Sequence, residues 1–327
     1  MQTADSNVYC TVFDSGYLAQ AIALHASLMR SSTRARLAFI CMDELSVEVL
    51  ARLSLERASI VPYAQFATPE LDRVRGLRTH GESIWTCKPF ALLHLARTLE
   101  DAQWLVYVDA DTMFFGDPDA ALPGPRAHYL LASHRFHPAF ASYEPTAGRY
   151  NAGYVAMRNT REGASAIEWW RERCVESCSA VPTATTYADQ LYLDRLPELF
   201  PFGESSAHAG LNAAPWNIER YRITVSRDAV LLDDAPLLLY HFQSLRVLKP
   251  WLVDLYAGDR RLAGPVRRLI YAPYLERLRA AYRAMRETAG ARAPAVQSRL
   301  NSARDWLRLG LGVARGKHNL LLHRIAA

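Results

Sequence analysis

The sequence predicts an α/β protein, a mixed and mostly parallel sheet flanked by helices, and three observations predict it. Short β-branched runs alternate with helix-period stretches from Val8 onward. A buried strand at Trp104–Val108 exits directly into Asp109-Ala110-Asp111. The net positive charge belongs to the last 70 of 327 residues, which read as a helical tail. Half of the residues are hydrophobic and 22% are charged, which excludes collagen-like, coiled-coil and wholly disordered chains.

Val8 to Phe13 is an apolar, aromatic run that ends at Asp14-Ser15-Gly16, a strand followed by a loop. Tyr17 to Met29 then repeats apolar residues at helical spacing through Leu18, Ile22, Leu24 and Leu28. Leu37 to Met42 reads as a second strand, Val47 to Leu55 as a helix and Ser59 to Val61 as a third strand. A polar stretch follows from Thr68 to Ser83, after which Lys88-Pro89 is expected to open a helix that runs to about Leu99, since proline suits a first turn. Tyr129 to Ala132, Tyr154 to Met157, Val230 to Leu232 and Pro236 to Phe242 read as later strands. Arg161 to Cys178 reads as a long helix and Tyr187 to Leu196 as a short one.

From Gly258 to Ala327 there are 15 Lys plus Arg against four acids, a net +11, whereas the rest of the chain nets −6. The expected organisation is therefore a domain over residues 1–257 and a basic helical extension over 258–327. Between Ser298 and Arg315, Leu300, Ala303, Leu307, Leu311 and Ala314 follow helical spacing, Arg299, Arg304, Arg308 and Arg315 take the polar positions, and Trp306 is available as an interface anchor. That pattern points to an anionic membrane surface, with packing on the protein's own acidic body or on a second subunit as the bland alternative. Nucleic acid is not expected, because the arginines are not set in a recognition module. No run approaches the roughly 18 apolar residues of a membrane span, and Met1 to Tyr9 lacks the order of a secretory signal, so a cytoplasmic protein is expected, peripheral at the inner membrane face. Five cysteines without a C-x-x-C pair read as buried thiols.

In an α/β sheet, ligands gather beyond the carboxyl ends of the strands, where Asp109 and Asp111 lie. Carboxylates one residue apart in an extended segment point to the same side, so both can serve one hard divalent ion. By itself D-x-D is common and often only a solvated strand end.

Val106-Tyr107-Val108-Asp109-Ala110-Asp111-Thr112 resembles the D-x-D segment of nucleotide-sugar glycosyltransferases with the GT-A (Rossmann-like) fold, particularly the retaining family 8 enzymes. Asn151-Ala152-Gly153-Tyr154, Asp189-Gln190, Pro215-Trp216-Asn217, and His241-Phe242 with Lys249-Pro250-Trp251 are similar to further segments of that family, in the same order. Together with Trp85-Thr86-Cys87-Lys88-Pro89, the run looks still more like bacterial sugar transferases of surface-polysaccharide clusters.

The resemblance implies Asp109, Asp111 and His241 as ligands of Mn²⁺, with Mg²⁺ as the alternative, and a UDP-linked sugar as donor. It implies Lys88 and Lys249 at the diphosphate or donor sugar. The second assignment is weakened because Gln243-Ser244 replaces the family's x-Gly and eight residues, not six, lead from His241 to Lys249. Asp14 and Tyr17 correspond to the nucleobase loop, although a strand-to-helix turn explains the same letters. Asn151, Asp189 and Gln190 would hold donor hydroxyls and the face where the acceptor attacks; Asn-before-Gly turns and a helix cap are their plain readings. In the remaining polar cluster, His134-Arg135-Phe136, a structural ion pair of Arg135 outweighs an acceptor or carboxylate contact.

The expected activity is metal-dependent transfer of a hexose, with retention, to a glycan or lipid-linked acceptor. A haloacid-dehalogenase-type phosphohydrolase would want Thr or Val where Met113 stands, and a nucleotidyltransferase would want a Gly-rich basic loop in place of Asp14-Ser15-Gly16. An inactive sugar-nucleotide-binding scaffold stays open.

Overall fold

The computed structural model describes residues 6–206, 208–258, 260–293 and 300–325. Strands and the α-helices of at least seven residues run in chain order as β1 (Ser6–Phe13), α1 (Leu18–Ser31), β2 (Arg36–Cys41), α2 (Glu44–Leu53), β3 (Ala58–Pro62), α3 (Pro69–Arg75), α4 (His80–Thr98) and β4 (Ala102–Val108). They continue as β5 (Thr112–Phe114), β6 (Tyr129–Ser133), β7 (Tyr150–Arg158), α5 (Arg161–Glu176), β8 (Gly203–Ser206), β9 (Ile223–Ser226), β10 (Ala229–Leu232) and β11 (Ala235–Pro236). The last are β12 (Leu239–His241), β13 (Arg246–Lys249), β14 (Leu252–Asp254), α6 (Ala272–Ala289), α7 (Ala303–Ala314) and β15 (Leu320–Leu322).

The central sheet has seven strands in the order β3-β2-β1-β4-β7-β6-β8. β1 lies parallel to β2 and β4, β2 parallel to β3, and β6 parallel to β8, while β7 runs antiparallel to both β4 and β6. The mixed, mostly parallel sheet with flanking helices is the expected class. Alternation along β1 sorts side chains to two cores, Tyr9 and Phe13 with α1 and α6 on one face, Val8, Cys10 and Val12 with α3, α4 and α5 on the other. All five cysteines are buried and unbridged.

Four elements differ from expectation. The helix before β4 begins at His80, not Lys88, because Thr79 and Glu82 form a reciprocal capping box; Pro89 therefore sits inside the helix and cannot donate to the carbonyl of Trp85. The stretch from Thr68 to Ser83 contains α3, capped by Thr68 with Pro69 in its first turn. Pro236 to Phe242 is divided, since Ala235–Pro236 closes a small sheet with β10 while Leu239–His241 leaves to pair with β5. Tyr187 to Leu196 holds a 3₁₀ turn at Leu191–Arg195.

After Ala257, α6 packs on α1 and α2 and buries Tyr274, Leu275, Leu278, Tyr282 and Met285 in the main core. β15 adds to the β13–β14 hairpin. Asn319 fastens this segment, its amide donating to the carbonyls of Tyr256 and Arg260 at 2.9 Å each and accepting from the Leu262 N–H at 2.8 Å. The expected tail helix starts at Ala303; Ser298 and Arg299 lie outside the described residues. Only Leu309 of α7 is buried, beside Leu248, Leu252 and Leu300, and Trp306 stacks on Trp251 with ring centroids 6.3 Å apart. No helix among the described residues is long and apolar enough to cross a membrane.

Candidate active site

A cleft of about 640 Å³ opens over the β4–β5 turn and the start of β7. Ten positions were predicted for the site, and nine of them line it: Asp14, Tyr17, Lys88, Asp109, Asp111, Asn151, Asp189, Gln190 and His241. Lys249 does not, because it lies in β13, within the three-stranded sheet formed with the C-terminal strand.

His241 reaches the acidic turn through a short antiparallel ribbon. β12 pairs with β5 so that His241 stands opposite Thr112, and the Phe242 N–H donates to the Asp111 carbonyl at 2.8 Å. Its Nε2 is 3.1 Å from Asp111 Oδ1 and 3.8 Å from Asp109 Oδ2. Gly153 is required beneath the ring, since a Cβ there would lie 2.8 Å from the imidazole and 2.6 Å from Asn151 Oδ1. Burial opposes the charged imidazole, but Asp111 and Asp109 outweigh it and raise the His241 pKa above its ordinary value.

Behind the acidic turn, Lys88 is buried in mid-helix, a correction to its expected place in a first turn. Its ammonium lies 3.1 Å from Asp109 Oδ1, 3.1 Å from Asp189 Oδ2 and 3.3 Å from the Ala152 carbonyl, and 4.8 Å above the Tyr107 ring. Burial would lower the Lys88 pKa; the two carboxylates reverse that and raise it. Burial pushes Asp189 the other way, up to about 6, with Lys88 only partly offsetting it. Asp109 is held below the ordinary carboxylate range despite burial, by Lys88, His241 and the Tyr107 hydroxyl, which donates to Oδ1 at 2.7 Å.

A neutral amide network forms the next wall. Asn151 Nδ2 lies 2.9 Å from Gln190 Oε1 and 3.2 Å from His134 Nε2, and Gln190 Nε2 donates to the Ala147 carbonyl at 2.6 Å. His134 Nδ1 donates to the Gly148 carbonyl at 2.9 Å, which leaves Nε2 as acceptor. Among the described residues Arg135 makes no ion pair, contrary to the expectation; in the left-handed region at φ 48°, it donates to the carbonyls of His208 and Ala209 at 2.6 and 3.2 Å, and to that of Leu211. At the mouth, Asp14 pairs with His80, and Tyr17 is half exposed rather than packed under α1.

Sequence reasoning missed His80 and the aromatic walls made by Phe140, Tyr143 and Tyr187; Phe136, named with His134, also lines the cleft. The Thr79-x-x-Glu82 capping signal would have placed His80 at a helix start, beside the cleft.

The donor set tests directly for a cation. Two carboxylates and an imidazole offer atoms that all lie within 4.8 Å of one another, a grouping whose size and chemistry fit a hard or borderline divalent ion.

Sheet order, helical layers and an acidic turn at the end of β4 define an α/β protein with a mixed, mostly parallel sheet. No family model matches the chain. Two proteins of Bacillus subtilis (strain 168) do: uncharacterized protein YfnD is 32% identical over 243 residues, 73% of this chain and 78% of its own. Uncharacterized protein YfnF is 31% identical over 253 residues, 74% of this chain and 83% of its own. The chain belongs to the family of these two proteins. Among solved structures it is similar to the galactosyltransferase LgtC in complex with donor and acceptor sugar analogues, with TM-score 0.49, 18% identity, and coverage of 75% of this chain and 89% of that one. It is also similar to the glycosyltransferase GlyE of Streptococcus pneumoniae TIGR4, with TM-score 0.49, 14% identity, and coverage of 90% and 66%.

Proposed function

We propose that the protein transfers a hexosyl group from a nucleotide-diphosphate sugar, UDP-linked, to a hydroxyl of a glycan or lipid-linked acceptor, with retention, in bacterial surface polysaccharide synthesis. The observation that carries the reading is the Asp109–Asp111–His241 set at the floor of a cleft, backed by the Asp109–Lys88–Asp189 row. Those three ligands would hold Mn²⁺, or Mg²⁺, which when bound neutralises a departing diphosphate. Lys88 fixes the carboxylates, so their orientation costs no reorganisation during the reaction. Asn151 and Gln190 present amide edges suited to sugar hydroxyls, and Asp14 and Tyr17 stand at the mouth for the base. Lys249, away from the cleft, has no part in this reading.

In the reaction, the anomeric carbon–oxygen bond to phosphate breaks and the acceptor oxygen takes its place on the same face. The acceptor's proton passes to a leaving phosphate oxygen. Asp189, which lines the same cleft, would steady the sugar's positive charge. The body of residues 1–257 carries this chemistry, and the extension of 258–327 brings it to the inner face of the membrane, a role supported by exposed Trp306, Leu307 and Leu311.

The test is release of UDP or GDP from a panel of nucleotide sugars with and without Mn²⁺. Metal-dependent release from a UDP-sugar is expected, falling on the order of 10³-fold in Asp111→Ala. Metal-dependent hydrolysis of a phosphomonoester with no release from any sugar nucleotide would replace the transferase reading by a phosphohydrolase.

A further inference from the structure

We infer that a groove between α6 and the C-terminal segment binds phosphate, and that its source is an anionic lipid headgroup. The inference rests on the membrane-facing reading of the extension for that source, but not for the chemistry of the groove.

The groove, of about 590 Å³, is lined by Arg279, Arg283, Arg286 and Arg324 over a floor that includes Tyr282 and Ile325. Arg279, Arg283 and Arg286 stand at i, i+4 and i+7 of one helix, so their charges share a face and repel. Glu287 is the single acid of the lining. The side chains of Arg283, Arg286 and Arg324 make no hydrogen bond or ion pair among the described residues, and Arg279 reaches Glu276 only at 3.6 Å. Three guanidiniums without an ion pair and a fourth loosely paired, all lining one groove, fit a phosphate, whose oxygens accept forked N–H donors.

The surroundings supply the source. Arg324 follows Leu321 and Leu322 of β15, which are 36% and 76% exposed. The Trp251 carbonyl accepts from the His323 N–H at 3.0 Å, and Trp251 stacks on Trp306, so the groove adjoins an apolar lip continued by Leu307 and Leu311 of α7. Among the described residues, seven of the fourteen exposed large hydrophobics are Trp251 or lie from Trp306 to Leu322. Apolar side chains beside unpaired arginines match the boundary between headgroups and acyl chains.

The test compares the full chain with Arg279→Ala/Arg283→Ala/Arg286→Ala and with Leu307→Ser/Leu311→Ser. Each is floated at low salt with phosphatidylcholine vesicles, with and without phosphatidylglycerol, and melted with inorganic phosphate. The arginine variant is expected to lose affinity for anionic vesicles on the order of a hundredfold, at about fivefold per arginine. Wild-type binding to phosphate but not to vesicles would keep the phosphate site and remove its lipid source. Equal binding of anionic vesicles by wild type and the arginine variant, with loss only in the leucine variant, would overturn the groove while leaving the membrane reading intact. No response to vesicles or phosphate would overturn both. An Arg283→Lys/Arg286→Lys variant, which keeps the charge, separates loss of binding from loss of folding.

Discussion

Each carboxylate lining the cleft meets a lysine or histidine: Asp109 and Asp189 meet Lys88, Asp111 meets His241, and Asp14 meets His80. In the groove beside α6, three of four arginines meet no partner among the described residues. Solvent explains the difference. Lys88 and Asp189 are each 3% exposed, where an unmatched charge costs several kcal/mol, while the groove's cations stay hydrated and tolerate isolation. The cleft is thus set before a ligand arrives, and the groove is left with charge that an outside partner can satisfy.

Removing the buried cation tests this most strongly. Lys88→Met leaves two carboxylates facing each other in the interior and should cost about 3–5 kcal/mol in denaturant unfolding. A cost below about 1 kcal/mol would break the contrast, because it would mean that water already reaches the pair.

Acid gives the next effect. Burial lowers the His134 pKa to about 4, so the folded protein resists a proton that the unfolded chain accepts near pH 6.5. This contribution is complete above pH 6.5 and erodes as pH falls toward 4, by about 3 kcal/mol in total. Urea midpoints from pH 7 to 4 should fall more steeply for wild type than for His134→Gln. Equal slopes would mean the imidazole is not held neutral against Asn151. The smallest effect belongs to the groove: Arg283→Ala/Arg286→Ala should leave unfolding free energy within about 0.5 kcal/mol of wild type, or raise it by relieving repulsion. A clear loss would indicate partners for these arginines within the chain.

The sheet's opening strands and helices were legible because β-branched runs and helical spacing there are long, and D-x-D was legible from its place after an apolar strand. Neighbouring signals misled. Pro89 reads as a helix start on local grounds, yet the Thr79–Glu82 box and the buried run from Phe90 to Leu93 hold the helix through it. The burial of Lys88 left no trace in the pattern, since a charge is placed inside only by partners distant in sequence. α6 was readable at Tyr274, Leu278, Tyr282 and Met285, but its many arginines drew attention to charge instead. Lys249 was assigned through motif order, which does not fix the path of a loop that differs in length.

A three-residue pairing joins Thr112 to His241 and with it two ends of a long excursion through β6, β7, α5 and β8. During synthesis the two aspartates leave the ribosome well before the histidine, so a growing chain holds only part of the proposed ligand set until His241 emerges. In that reading, firm cation capture waits for His241, and shorter nascent chains are spared a premature grip on metal.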